Sequence, residues 1–375
     1  MITVAAQTGW QPTALQTDLL QAALSDDARI VADAWASWRS QANIEAVDGS
    51  TFRLFPLLYR NLETHHIDTP EMRKLRGVYK HAWANNQIQL HHIKAAIRVL
   101  DQACIPTLVL KGLALAVGTY HDLGLRATGD GDVLIPFKRR DEALTLLSAQ
   151  GWTMNASIPR SRLDWLHGAE LKNAAGKGLD LHWYLSWEGV GGCTDDAFWA
   201  AAIPLALDDV ATLMLCPAHQ LLHILVHGSW WNTAPAFRWV ADAITVIRAG
   251  GIDWDRLISQ ADALHVTLTI APMLRYLITV FNVPIPQNVI ERLENMPKPL
   301  WEQIEYAAKQ RQRRVWHGTI YHPIKYGRIM LNSRRPAWGF VGYLRDWWGM
   351  GSLRRIPAQS LDILVRDARK LWRSR

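Results

Sequence analysis

Residues 107 to 135 read TLVLKGLALAVGTYHDLGLRATGDGDVLI, and the fold turns on this run. Pro106 precedes TLVL, which is too short for a helix and too apolar for a loop, so a strand is expected that ends at Lys111-Gly112 and passes into the helical stretch LALAVGTY. A turn-rich segment, HDLGLRATG, leads into a second strand, DGDVLI, in which a period of two puts Asp130 and Asp132 on one face. Further on, the glycine-rich turn AAGKG (174–178) precedes a third strand, LDLHWYL. There Leu179, Leu181 and Trp183 share one face, and Asp180 and His182 share the other.

Helical spacing surrounds these strands. Between residues 14 and 103 apolar residues recur three and four apart: Leu15, Leu19, Leu20 and Ala23, then Val78, Ala82, Ile88, Leu90, Ile93, Ile97 and Leu100. KRRDEALTLLSAQGW reads as an amphipathic helix closed by Gly151, and helical periodicity returns from about residue 208 in AHQLLHILVHG, RWVADAITVIRAG and WDRLISQADAL. The expected fold class is α+β, with a small mixed β-sheet core at 104–190. A helical N-terminal region at 1–103 and a helical C-terminal region at 191–308 flank it, and a basic, Trp-rich tail occupies 309–375.

The 49% hydrophobic content is enough to supply a sizeable core in a chain of 375 residues. No apolar run is long enough to span a bilayer and no charged leader precedes an apolar stretch, so a cytoplasmic location is expected. Cys104, Cys193 and Cys216 are too few and too scattered for a disulfide framework and are read as buried thiols of a reducing compartment. The net charge of +7 is uneven. From Lys309 to Arg375 there are 16 Lys or Arg against three Asp, a local excess of +13 that leaves −6 on the remainder. Trp338, Trp347, Trp348 and Trp372 fall in this tail. Such a segment suits an anionic membrane surface, RNA or an acidic partner, which would make the protein peripheral at a membrane in the first case; the plain alternative is a solvated end whose aromatics cap the helical region.

Two carboxylates two apart on one strand make an oxygen platform for Mg²⁺ or Mn²⁺, and Asp180 on the polar face of the third strand is the best third ligand. The alternative for any lone D-x-D pair is a solvated strand end. A strand ending in Lys-Gly and feeding a helix allows close backbone approach at Gly112, with Lys111 and Arg126 near enough in sequence to reach the same anion.

Together, the run from Thr107 to Ile135 and LDLHW resemble the uncharacterised bacterial nucleotidyltransferase family of the polymerase-beta-like superfamily. The likeness implies a phosphate-binding turn at Gly112, a metal-binding pair at Asp130 and Asp132, and a third catalytic carboxylate at Asp180. It extends to the helical stretches LLHILVHG, FRWVADAITVIRAG and IDWDRLISQA, spanning residues 50 to 285. The implied reaction is transfer of a nucleotidyl group from an NTP to a small molecule, a protein side chain or a tRNA end, and Lys111, Gly112, Arg126 and His182 would contact the nucleotide. The superfamily turn usually carries serine after glycine; here Leu113 and Ala114 follow Gly112, so the rival reading is a non-catalytic binding protein of the same fold.

Other polar residues have plainer readings beside the functional ones. His182 is equally well a satisfied structural histidine. His219, His223 and His227 repeat every four residues, but the residues between them are those of a core helix and no HExxH pattern accompanies them, so zinc is disfavoured. His223 or His227 lining an acceptor cleft is the better functional reading. Arg238 and Asp242 are read as a helix-surface ion pair.

Overall fold

The computed structural model describes residues 9–156, 158–192, 195–229, 237–310, 317–333 and 339–350. Among the described residues five helices come first: α1 (Ala14–Leu24), α2 (Ala28–Gln41), α3 (Gly49–Phe52), α4 (Phe55–Thr64) and the long α5 (Met72–Gln102). Their starts follow from local chemistry. Thr13 and Gln16 form a capping box at α1, and the carboxylates of Asp27 and Asp48 accept backbone N–H groups at α2 and α3. The apolar spacing read from the sequence faces inward at Leu19, Leu20, Val78, Leu90, Ile93, Ile97 and Leu100, whereas Ile88 of α5 is exposed.

The sheet segment follows: β1 (Leu108–Leu110), α6 (Lys111–Gly118), β2 (Asp130–Leu134), α7 (Arg140–Ala149), β3 (Thr153–Met154), β4 (Gly168–Lys172), β5 (Gly178–His182), α8 (Asp195–Ala200), β6 (Ile203–Leu207) and β7 (Val210–Met214). The seven strands lie in the order β3-β4-β5-β2-β1-β7-β6. β2 runs parallel to β5 and β1 parallel to β7, while the other neighbours are antiparallel. The fold is thus α+β with a mixed sheet. The sheet extends beyond residue 190, because β6 and β7 form a hairpin about Asp208 and Asp209 and β7 supplies the second neighbour of β1. The sheet thus runs past the 104–190 core and into the helical 191–308 region expected from the sequence.

Strand alternation splits the apolar residues between two cores. Leu108, Leu110 and Leu134 face the N-terminal helices and the later helices α9 (Pro217–Gly228), α10 (Arg238–Ala249), α11 (Trp254–Ala263), α12 (Thr267–Phe281) and α13 (Gln287–Asn295). Val109, Val133 and Ile135 face the second half of α5 and α7. Gly131 is where β2 meets α5, since a Cβ there would stand 2.3 Å from Ile93 Cγ1.

The chain ends, as far as it is described, in α14 (Leu300–Gln310), α15 (His317–Ser333) and α16 (Phe340–Trp347). The boundary expected at 309 cuts through α14. Lys309, Lys325 and Arg328 are buried, and Tyr343 and Trp347 pack in the second core, so this part of the basic segment is structure. Trp338, Trp372 and residues 351–375 lie outside the described residues. Cys104 is exposed and Cys216 half-buried, contrary to the expectation of buried thiols; Cys193 lies outside the described residues. Among the described residues no helix is long and apolar enough to cross a membrane.

Candidate active site

The parallel register of β2 and β5 decides where the acidic residues meet. Asp132 lies opposite Asp180, Leu134 opposite His182, and Asp130 opposite Gly178. Asp132, Asp180 and His182 each offer one ligand atom within 4.8 Å of one another. Asp132 is buried, Asp180 half-buried, and Asp130 sits at the exposed rim, outside that group. On the other side of β2, β1 ends opposite Asp132, with Leu110 as its partner, and delivers Lys111 to the same place. Lys111 has a left-handed backbone, φ 47°, which few non-glycine residues adopt and which the strand-to-helix turn enforces.

Lys111 Nζ lies 2.5 Å from Asp132 Oδ1, and His182 Nε2 lies 3.2 Å from the same oxygen and 3.8 Å from Asp180 Oδ2. Burial alone would raise the Asp132 carboxyl, but the Lys111 ammonium and the His182 imidazole outweigh it and hold the group well below the usual carboxylate range. Burial lowers Lys111, and the three aspartates more than restore it, so it stays cationic. Asp130 moves the opposite way: desolvation by the cleft walls and then the charges of Asp132 and Asp180 push it up.

Lys111 and the three aspartates line a cleft of about 450 Å³ that the loop before β2 and the helices α9 and α10 also border. There Arg126 makes a bidentate pair with Asp242, Nε to Oδ1 at 2.7 Å and Nη2 to Oδ2 at 2.8 Å, and Tyr120 donates its hydroxyl to Asp242 at 3.0 Å. Arg238, Arg53, Gln220, His223 and His227 also line the cleft. Burial drives His223 far down and His227 to about 3, so both are neutral at physiological pH. The Gly112 backbone is close against Thr128, since a Cβ there would stand 2.5 Å from Thr128 Cγ2.

A family model described as uncharacterised nucleotidyltransferase matches residues 50–282. The chain belongs to that nucleotidyltransferase family. The matched region runs from α3 to the end of α12 and takes in the whole sheet and both walls of the cleft; the helices α13 to α16 follow it. Among solved structures, the chain is similar to an antigenic nucleotidyltransferase-like protein from Paracoccidioides brasiliensis, with 14% identity over 54% of this chain and 96% of that one and a TM-score of 0.37. No curated protein matches the sequence.

In this member of the family the structure brings Lys111, Gly112, Asp130, Asp132, Asp180 and Arg126 to one cleft, with His182 hydrogen-bonded to Asp132. Arg126 does not stand open as sequence proximity implied, because Asp242 engages two of its nitrogens. The helix-surface pair expected of Arg238 and Asp242 is replaced by this buried Arg126–Asp242 pair, and Arg238 instead donates to Ala127 O at 3.0 Å. Sequence reasoning missed Asn86, which is fully buried on α5. Its Nδ2 donates to Leu123 O and Arg126 O, while Thr128 N and Oγ1 both donate to its Oδ1. Asn86 thereby fixes the loop that carries Arg126 and Thr128. A polar residue on the inner stripe of a long amphipathic helix is the signal that could have marked it.

Proposed function

We propose that this protein transfers a nucleotidyl group from an NTP to an acceptor, using a divalent cation, Mg²⁺ or Mn²⁺, held by Asp132 and Asp180 with Asp130 adding charge at the rim. The observation that carries this reading is the register that sets Asp132 opposite Asp180, beside a strand that ends in Lys111-Gly112 at a helix N-terminus. The donor set fits such an ion: two carboxylates and one imidazole nitrogen gather within 4.8 Å, and oxygen-rich sites favour these hard cations. When bound, the ion would neutralise triphosphate charge and polarise the α-phosphate.

The chain's own residues supply the rest. Gly112 allows phosphate oxygens to approach backbone N–H groups at the start of α6, and Lys111 balances the charge of Asp132 at the acidic end of the cleft. His182, with its proton on Nε2, donates to Asp132 and holds that carboxylate toward the cleft. An acceptor hydroxyl, phosphate or amine attacks the α-phosphorus. The new bond forms as the bond to the bridging oxygen breaks, and pyrophosphate leaves with the electron pair. Asp180, half-exposed, is the carboxylate open to the acceptor's proton. His223 and His227 line the same cleft and would face an acceptor bound in it. A small molecule, a protein side chain and a tRNA end all meet this chemistry, and ATP is one of several NTPs that do.

A second reading, a non-catalytic binding protein of the same fold, is favoured by one local observation: Asp132 Oδ1 is already approached by both Lys111 and His182. A panel of α-labelled NTPs with Mg²⁺ or Mn²⁺ and cell extract, resolved by product size, separates the two. The transfer reading expects metal-dependent label on an acceptor, reduced at least about a hundredfold in Asp132→Asn with Asp180→Asn, about 2.7 kcal/mol of transition-state stabilisation. Binding of NTP without label transfer under any metal would favour the binder.

A further inference from the structure

We infer that the polyphosphate seat of this cleft is built by Arg238 and Arg53, which are carried by helical elements, rather than by Lys111 and Arg126. The inference rests on the nucleotidyl-transfer reading and specifies which residues grip its nucleotide.

Charge in the cleft is segregated. On the strand side Asp130, Asp132 and Asp180 stand with Lys111, and the charge of Arg53 also reaches Asp130. Around Asp242 stand Arg126 and Arg238, and Arg53 lies between this group and Asp130. One pole therefore carries two excess negative charges and the other one excess positive charge, with the further charge of Arg53 between them. A divalent cation suits the first pole and a polyphosphate the second.

Within the basic pole the partners are unequally shared. Arg126 gives Nε and Nη2 to Asp242 and Nη1 to Ala127 O at 3.0 Å. Asp242 is filled by that fork and by the Tyr120 hydroxyl. Arg238 directs its own Nη1 to the same Ala127 oxygen, also at 3.0 Å, so the two guanidinium groups lie within twice that distance of each other. Among the described residues Arg238 is in no ion pair. Burial, and then the neighbouring Arg126, push it down to about 9, which leaves it charged at neutral pH. Like charges held this close in a half-buried wall cost free energy that a bound anion relieves. Arg53, exposed just after α3, is likewise in no ion pair among the described residues, and its Nη2 stands 3.8 Å from the point where a Cβ on Gly129 would lie.

The basic pole also borders the phosphate turn. Arg126 Nη1 is 3.8 Å from the corresponding point on Gly112, so the guanidinium cluster and the N-terminus of α6 face one space. Lys111, by contrast, is drawn to the acidic pole by Asp132. A chain of phosphates can thus lie between Gly112 and Arg238 with its α-phosphate toward Asp132.

Calorimetric titration of the full chain with inorganic tripolyphosphate, without metal, tests the seat by itself. Arg238→Met and Arg53→Met should each weaken binding by at least about tenfold, the loss of one charge-assisted contact, and Lys111→Met by less. Arg238→Lys should recover part of the loss, because it restores charge without the fork. Arg53 is exposed, so its variant keeps the test informative should Arg238→Met fail to fold. Unaltered affinity in Arg53→Met, a larger loss in Lys111→Met than in either arginine variant, or no binding by the wild type overturns the inference. Tripolyphosphate held through Arg238 and Arg53 by a protein that transfers no label would keep this seat and retire the transfer reading; label transfer with unimpaired affinity in both variants would do the reverse.

Discussion

Asp130 and Asp132 are two residues apart on one strand, yet their surroundings give them opposite characters. Asp132 is buried and paired with Lys111 and His182; Asp130 is at the rim, where desolvation and then the charges of Asp132 and Asp180 push it up. Asp132→Asn should therefore destabilise the protein by about 3 to 5 kcal/mol, the usual result of removing one partner of a buried pair. Asp130→Asn should leave the melting temperature unchanged or slightly higher at neutral pH. The signs follow from the shifts. Asp132 is depressed on folding, so its contribution is present above the ordinary carboxylate pKa and fades only as pH falls through its lowered value. Asp130 is raised, so its ionisation costs stability as pH climbs through that raised value, and the gain from Asn should vanish in acid. Thermal melts of both variants across pH check this, and equal losses in the two would contradict it.

At the scale of elements, much of the sheet was legible before the structure. β1, β2 and β5 carry short apolar or alternating runs bounded by Pro106, Gly112 and the AAGKG turn, and those signals placed the aspartates and the Lys-Gly turn correctly. The β6–β7 hairpin was not read, although Leu205 and Leu207, then Val210, Thr212 and Met214, alternate about Asp208-Asp209. Its turn lacks glycine, and the following helix α9 dominated the periodicity. The Arg126–Asp242 pair was illegible for another reason: 116 positions separate its partners, whereas Arg238 offered Asp242 a local partner at helical spacing. The pairing of β1 with β7 can be tested through Thr107 and Thr212, buried hydroxyls 2.8 Å apart. Thr212→Val should cost about 1 to 3 kcal/mol by leaving Thr107 unsatisfied, and adding Thr107→Val should recover part of it. Strict additivity in denaturant titrations would show that the two do not meet.

Across the whole molecule, the helices beyond the family-matched region are tied to the sheet by buried charge. Glu305 on α14 pairs with Lys309 at 2.9 Å and with Arg328 on α15 at 2.5 Å, and Lys309 reaches Glu188, which follows β5, at 3.4 Å. Arg328 also donates to Leu264 O, so α11, α14, α15 and the sheet meet in one cluster. Glu305→Ala would leave two buried cations without their main partner and should cost about 3 to 5 kcal/mol in denaturant unfolding; a loss below about 1 kcal/mol would show the cluster to be peripheral. Lys309, Lys325 and Arg328 are thereby withdrawn from the pool of charges expected to meet a membrane or RNA, and any such contact falls to the exposed and C-terminal basic residues.

The central claim is that Asp132 and Asp180, set opposite each other by parallel strands, hold the cation on which nucleotidyl transfer depends. The most direct measurement is Mn²⁺ binding followed by electron paramagnetic resonance, with NTP present, in the wild-type protein and in Asp180→Asn. The wild type should bind Mn²⁺ in an NTP-dependent way, and the variant should lose at least about tenfold in affinity, about 1.4 kcal/mol. Equal Mn²⁺ binding by both proteins would contradict that claim.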